Sequence, residues 1–140
     1  IGNDREAQLD PPATAAPIKS AASALANLSP GLMLPETMSE ADLAALGAEN
    51  TCQFRLTEVA FPSFVYDNSG RGAIKINGKL IPVTASASGE YANGELRIRT
   101  RILDDEGDAG LQMQELIVAG PRMKDEFGFW GYTTCGNSEA

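Results

Sequence analysis

The chain holds two cysteines, Cys52 and Cys135, and most of what lies between them alternates apolar and polar residues with the two-residue period of β-strands. One bridge would tie the first of these strands to the last and close the stretch on itself. Such a bond persists in an oxidising compartment, so the pattern points to an exported β-domain; two buried thiols in a cytoplasmic core are the alternative. At 140 residues the chain suits one domain with a modest core.

The strands can be followed one by one. In CQFRLTEV, Cys52, Phe54 and Leu56 face one way and Gln53, Arg55 and Thr57 the other, and Phe61 to Tyr66 gives a second strand. Two Asn-Gly dipeptides then mark tight hairpins, because both central residues of such turns take positive φ. In GAIKI-NG-KLIPV the register sets Ile76 opposite Lys79 and Ile74 opposite Ile81, with Val83 on the same core face. Pro82 implies an edge or a bulge. In SASGEYA-NG-ELRIRTR the same rule pairs Ala92 with Glu95, Tyr91 with Leu96 and Ser88 with Arg99. Gly89, Tyr91, Leu96 and Ile98 then share the buried face, while Arg97, Arg99 and Arg101 line the other, as a solvated face or a ligand site. Leu111 to Ala119 and the aromatic run Phe127 to Cys135 complete the set. The expected fold is mainly β, a small antiparallel barrel or sandwich of six to eight strands with a short helical segment at its N-terminal side.

Three regions follow: a tether over 1–17, a helical segment over 18–49 that docks on the core, and the β-domain over 50–140. The first is acidic and proline-bearing, a linker composition compatible with the segment that follows a lipidated cysteine upstream. Ile18, Ala21, Ala22, Leu25 and Leu28 then fall at helical spacing. A second helix is marked by Ser39 as its cap, Asp42 as capping-box partner, Met38 as a staple onto Leu43, and Gly47 as a left-handed stop. At about two turns it is stable only when docked, so Leu43 and Leu46 are expected to cover one end of the β-core.

A formal net charge of −8 argues against nucleic acid as a partner. Residues 1–49 carry seven of the acidic side chains against two basic ones, which leaves the β-region nearly balanced. The sequence has no histidine, which removes Ser-His-Asp, Cys-His and H-E-x-x-H arrangements, and it has no Gly-rich phosphate loop. No catalytic residue, cofactor or metal is therefore expected. In DDEGDAG, Asp104, Glu106, Asp108 and Glu115 match EF-hand positions, but Ala109 replaces the required glycine and the flanks read as strands, so a solvated acidic hairpin loop is the reading.

From SASGEY to GYTTC the chain resembles the periplasmic and membrane-bound inhibitors of c-type lysozyme, and also small exported lipoproteins of Gram-negative bacteria. The resemblance implies a small barrel with a cysteine in its first strand and another near its C-terminus. It implies a Ser-Gly-x-x-Tyr loop that enters the lysozyme cleft. Ser88, Gly89 and Tyr91 match that loop in kind, and IRTR stands where the family has Trp-x-Lys-Gly, so Arg99 or Arg101 takes the basic role. The implied function is an envelope binding module in the periplasm or anchored to the outer membrane, with a protein partner that includes c-type lysozyme among the candidates. Membrane contact would come only through a lipid anchor outside this chain. The alternative is a non-catalytic structural or assembly protein whose interface uses the Phe127 to Tyr132 aromatics and the helical leader.

Overall fold

In the computed structural model of the chain, residues 14–26, 28, 34–48, 51–57, 59–106, 112–120 and 126–135 are described, the side chains of 104–106 excepted. Eight antiparallel strands close into a barrel in sequential order, β1 (Cys52–Arg55), β2 (Phe64–Tyr66), β3 (Arg71–Ile76), β4 (Lys79–Ala87), β5 (Glu90–Asn93), β6 (Leu96–Glu106), β7 (Gln112–Ala119) and β8 (Phe127–Cys135). Closure joins β1 to β8, and the register sets Cys52 directly opposite Cys135, where the two form a disulfide. The bridge therefore locks the seam of the barrel.

An eight-stranded barrel is just wide enough for side chains to fill it. Phe54, Phe64, Ile74, Ile76, Ile81, Leu96, Ile98, Leu116 and Val118 are fully buried in one cluster that includes Tyr91. Gly131 makes room for them. A Cβ there would collide with the Arg55 carbonyl and sit 2.8 Å from the Phe54 ring. Towards the disulfide end the filling turns polar, with the Tyr66 hydroxyl 3.0 Å from Thr133 Oγ1 and accepting from Gln114 Nε2 at 3.2 Å. A packed interior leaves the outer wall to meet partners.

The first Asn-Gly turn is as expected: Ile76 pairs with Lys79, and Asn77 and Gly78 both take positive φ, 57° and 71°. The second differs. Asn93 stays in β5 and pairs with Leu96, so Gly94 and Glu95 make the turn, and the ladder runs Ala92 with Arg97, Tyr91 with Ile98 and Glu90 with Arg99. This corrects the expected register by two residues, a shift that keeps Tyr91, Leu96 and Ile98 on the buried face. The reason lies in the Asn93 side chain. Its Nδ2 donates to the Pro82 carbonyl at 2.6 Å and its Oδ1 accepts from Ala21 N at 3.3 Å. The expected strand SASGEYA is also two elements. Ser86 ends up in a long β4, Ser88 and Gly89 form the turn, and Ala87 faces Glu90 across it.

Pro82 lies where β4 has lost its β5 neighbour, since their pairing starts at Thr84, and a bulge follows between Ala85 and Ala87. The leader fills that local edge. Ile18 forms a parallel bridge to Leu80, with Leu80 N donating to Pro17 O and Lys19 N to Leu80 O, both at 2.9 Å. Pairing at Ile18 shortens the expected helix over 18–28 to the single turn α1 (Ala21–Ala24), which buries Ala21, Ala24 and Leu25 over the apolar end of the barrel.

The second helix, α2 (Glu40–Leu46), has the complete cap: Ser39 Oγ accepts from Asp42 N, Asp42 accepts from Ser39 N, and Gly47 is left-handed. Its docking place differs from the expectation. Leu43 and Leu46 pack with Met38 and Ala48 on Val65, Ala73 and Leu80, which lie on the outer wall of β2–β4 rather than at an end of the barrel. The segment before β2 serves the same contact. Pro62 O accepts from Met38 N at 2.8 Å, and the strand expected from Phe61 starts only at Phe64, with Phe61 53% exposed.

Asp42 fastens this assembly. Buried to 1% exposure, its carboxylate accepts from Ala16 N at 2.7 Å, Ser39 N at 2.9 Å and Lys75 Nζ at 2.8 Å. Burial pushes the carboxyl up, but the Lys75 bond and the two backbone donors together outweigh it and hold the group below its ordinary value.

Candidate binding surface

Among the described residues, the leader divides the outer wall of the barrel into a covered part over β2–β4 and a bare part over β5–β8. Alternation decides what the bare part presents. On β6 it is Arg97, Arg99 and Arg101; on β7, Glu115 and Ile117; on β8, Gly128, Trp130 and Tyr132. The ladder lines these up in rows, Arg101 beside Glu115 beside Trp130, and Arg99 beside Ile117 beside Gly128.

Trp130 is 65% exposed. Glu115 accepts from Arg101 Nη2 at 2.6 Å and Nε at 3.1 Å, and Trp130 is its ladder neighbour on the other side. The Arg101 bond, helped by Trp130 and by the charge of Arg99, holds the Glu115 carboxyl below its ordinary value. Gly128 lets this happen, because a Cβ there would stand 2.7 Å from Glu115 Oε2. One row over, Arg99 pairs with Glu126 at 2.6 Å beside a shallow recess of about 240 Å³ lined by Ser86, Glu90, Arg97, Arg99, Ile117 and Glu126.

Of the residues singled out in the sequence, Ser88 is exposed at the β4–β5 turn, and Gly89 takes φ 74° with its carbonyl accepting from Thr100 N at 2.8 Å. Tyr91 is buried beneath the turn, edge-on to Phe64 at 5.4 Å between ring centroids. Burial raises its hydroxyl above the ordinary value, with Tyr66 and Asp67 adding to the effect. Glu90, not Ser88, is the neighbour of Arg99, and Arg101 lies in the next row, beside Glu115. The turn and the arginine face are thus adjacent without forming one pocket.

A larger recess of about 470 Å³ lies on the covered part, between the C-terminal end of α2 and β2–β4, with Val65 and Ala73 in its floor and Asp67 and Arg71 on its rim. These two are ion-paired at 3.6 Å, and Asp67 also accepts from Ser69. Among the described residues no group of acidic or cysteine side chains gathers as a metal site. Residues 107–111 of the calcium-like spacing lie outside the described residues, while Glu115 is taken up by Arg101.

The sequence family described as Domain of unknown function (DUF6692) matches residues 1–138. The chain belongs to this family. No curated protein and no solved structure matches it. The DUF6692 match runs through leader and barrel alike, in keeping with a leader built into the wall by Asp42 and by the Ile18–Leu80 bridge. The pairing of Glu115 with Trp130 is the feature of this DUF6692 chain that sequence reading missed. Its signal was there in FGFWGYTTC, where the two-residue period turns Trp130 outward and Phe127, Phe129 and Gly131 inward.

Proposed function

We propose that this chain is a non-enzymatic binding module of the cell envelope that engages a partner through the outer wall of β5–β8. The observation that carries this reading is an exposed tryptophan set in one row with an ion-paired carboxylate and arginine. Trp and Arg held in place on a surface are the residue types that dominate binding energetics, because little entropy is lost when they are covered. The disulfide at the seam supports an exported location, in the periplasm or tethered to the outer membrane. Leader and β2–β4 already cover one another, so the bare part is the side left for a partner.

Photo-crosslinking in producing cells tests this. A photoreactive residue at Ala119, on the bare wall, is expected to give a discrete high-mass adduct, and one at Ala44, exposed on α2, none. Adducts from Ala44 alone, or from neither, would overturn the reading.

A second reading, inhibition of a c-type lysozyme, is favoured by the exposed Ser88-Gly89 turn pinned by Thr100. Ser88 and the Gly89 backbone would enter the enzyme's acidic cleft, Tyr91 would support the turn from inside, and Arg99 or Arg101 would supply charge. Micromolar protein should then slow the lysozyme, and Ser88→Ala with Arg99→Ala should relieve the inhibition. An unchanged lysozyme rate would exclude this role for the turn.

A further inference from the structure

We infer that the bare wall is a saccharide site, with Trp130 as the stacking platform and the recess beside Arg99 as the hydrogen-bonding subsite. The inference rests on the binding-module reading and names the ligand class. Trp130 is 65% exposed and stands in one row with the Glu115–Arg101 ion pair, so its indole offers an apolar face to solvent beside a neutralised pair. A partner must therefore present a flat apolar surface of its own. The two central arginines are neutralised, Arg101 by Glu115 and Arg99 by Glu126, so the wall does not attract a strongly charged ligand. Yet the same groups keep unused lone pairs and N–H donors that point to solvent. An apolar platform flanked by fixed, mutually neutralised donors and acceptors suits a neutral ligand with one C–H face and a rim of hydroxyls, which describes a pyranose ring.

Spacing agrees. Trp130 on β8 and Arg99 on β6 stand two strands apart and two residues out of row, about 12 Å at the usual strand spacing and rise. Ile117 and Glu115 lie on the strand between them, with the Glu115 carboxylate lying over side-chain-free Gly128. The recess adds the Ser86 hydroxyl and the carboxylate of Glu90, and Arg97 stands at its edge. A ligand that spans both features is extended and has more than one ring. Equatorially linked chains are flat and extended, so a β-1,4-linked glycan fits the wall better than a coiled one.

Trp130 is the chain's single tryptophan, so its fluorescence reports the site directly. The intact protein is titrated with the pentasaccharides of β-1,4-linked N-acetylglucosamine and β-1,4-linked glucose, with the α-1,4-linked glucose pentasaccharide as comparison. At least one β-linked probe is expected to saturate an emission change at millimolar concentration or below, with the α-linked one at least fivefold weaker. Calorimetry should show at least a tenfold loss for Trp130→Ala and a threefold or greater loss for Arg97→Ala, both with unchanged thermal unfolding. No saturable change with either β-linked probe up to 10 mM, or undiminished binding by Trp130→Ala, would overturn the saccharide site. Adducts from Ala119 that contain only protein, together with silent titrations, would leave the binding module standing and the saccharide inference refuted.

Discussion

Asp42→Ala is expected to destabilise the fold by about 3–5 kcal/mol, the range for removing one partner of a buried, hydrogen-bonded ion pair. The substitution strands three donors at once: Lys75 Nζ and the N–H groups of Ala16 and Ser39. Lys75 is 18% exposed and can turn its ammonium to water, which places the loss towards the lower end. Asp42→Asn keeps an acceptor and should cost less. Chemical denaturation of the two variants beside the parent measures this, and a loss under about 1 kcal/mol for Asp42→Ala would remove Asp42 as the fastening of the leader.

The same group sets an acid limit. Its folded-state pKa lies below the unfolded value, so the stability it provides is fully present above the unfolded value, near pH 4, and is lost as pH falls through the folded one. The leader should stay docked through the mildly acidic range. Amide exchange at Leu43 and Ala48 that accelerates between pH 7 and 5 would contradict this.

Opening the seam is the second large perturbation. The bridge closes a loop with a sequence separation of 83, for which chain entropy gives about 4–5 kcal/mol. Cys52→Ala with Cys135→Ala should lower the unfolding temperature by on the order of 15 °C in a domain of this size. Besides the bridge, the seam has a ladder of four residues of β1 with β8 and the Arg55 Nη1 bond to Thr134 Oγ1 at 2.8 Å. The parent protein should show no free thiol when labelled in denaturant without reductant. Two free thiols, or a double variant that unfolds within about 3 °C of the parent, would count against a structural bridge.

Features that depend on neighbours in sequence were legible. Ser39, Asp42 and Gly47 announce α2 because cap, box and stop lie within nine consecutive residues, and Asn77-Gly78 sets its hairpin through the positive φ of both residues, a turn that the Asn77 bond to the Ala24 carbonyl leaves in place. Features set by distant contacts were not. Asn93 carries the same dipeptide as Asn77, but its side chain is recruited by Pro82 and by Ala21, 72 residues away, and the turn moves by one residue as a result. Ile18 has helical spacing to Leu25, but the vacant edge of β4 draws it into a bridge with Leu80. At the candidate site, alternation in β8 turns Trp130 outward, but only the path of the leader decides which part of the wall remains bare. Arg99 and Arg101 were visible as an alternating basic face, while their acidic partners, Glu126 and Glu115, come from the start of β8 and from β7, whose register beside β6 the sequence does not spell out.

The central claim is that the bare wall around Trp130 is the working surface, and a single fluorine signal tests it most directly. Protein labelled with 5-fluorotryptophan gives one resonance, from Trp130, because the chain has no other tryptophan. In envelope extract of producing cells that resonance is predicted to shift or broaden relative to buffer, and to return when excess unlabelled parent protein is added but not when excess unlabelled Trp130→Ala is added. A resonance that stays sharp at its free position throughout would contradict the account.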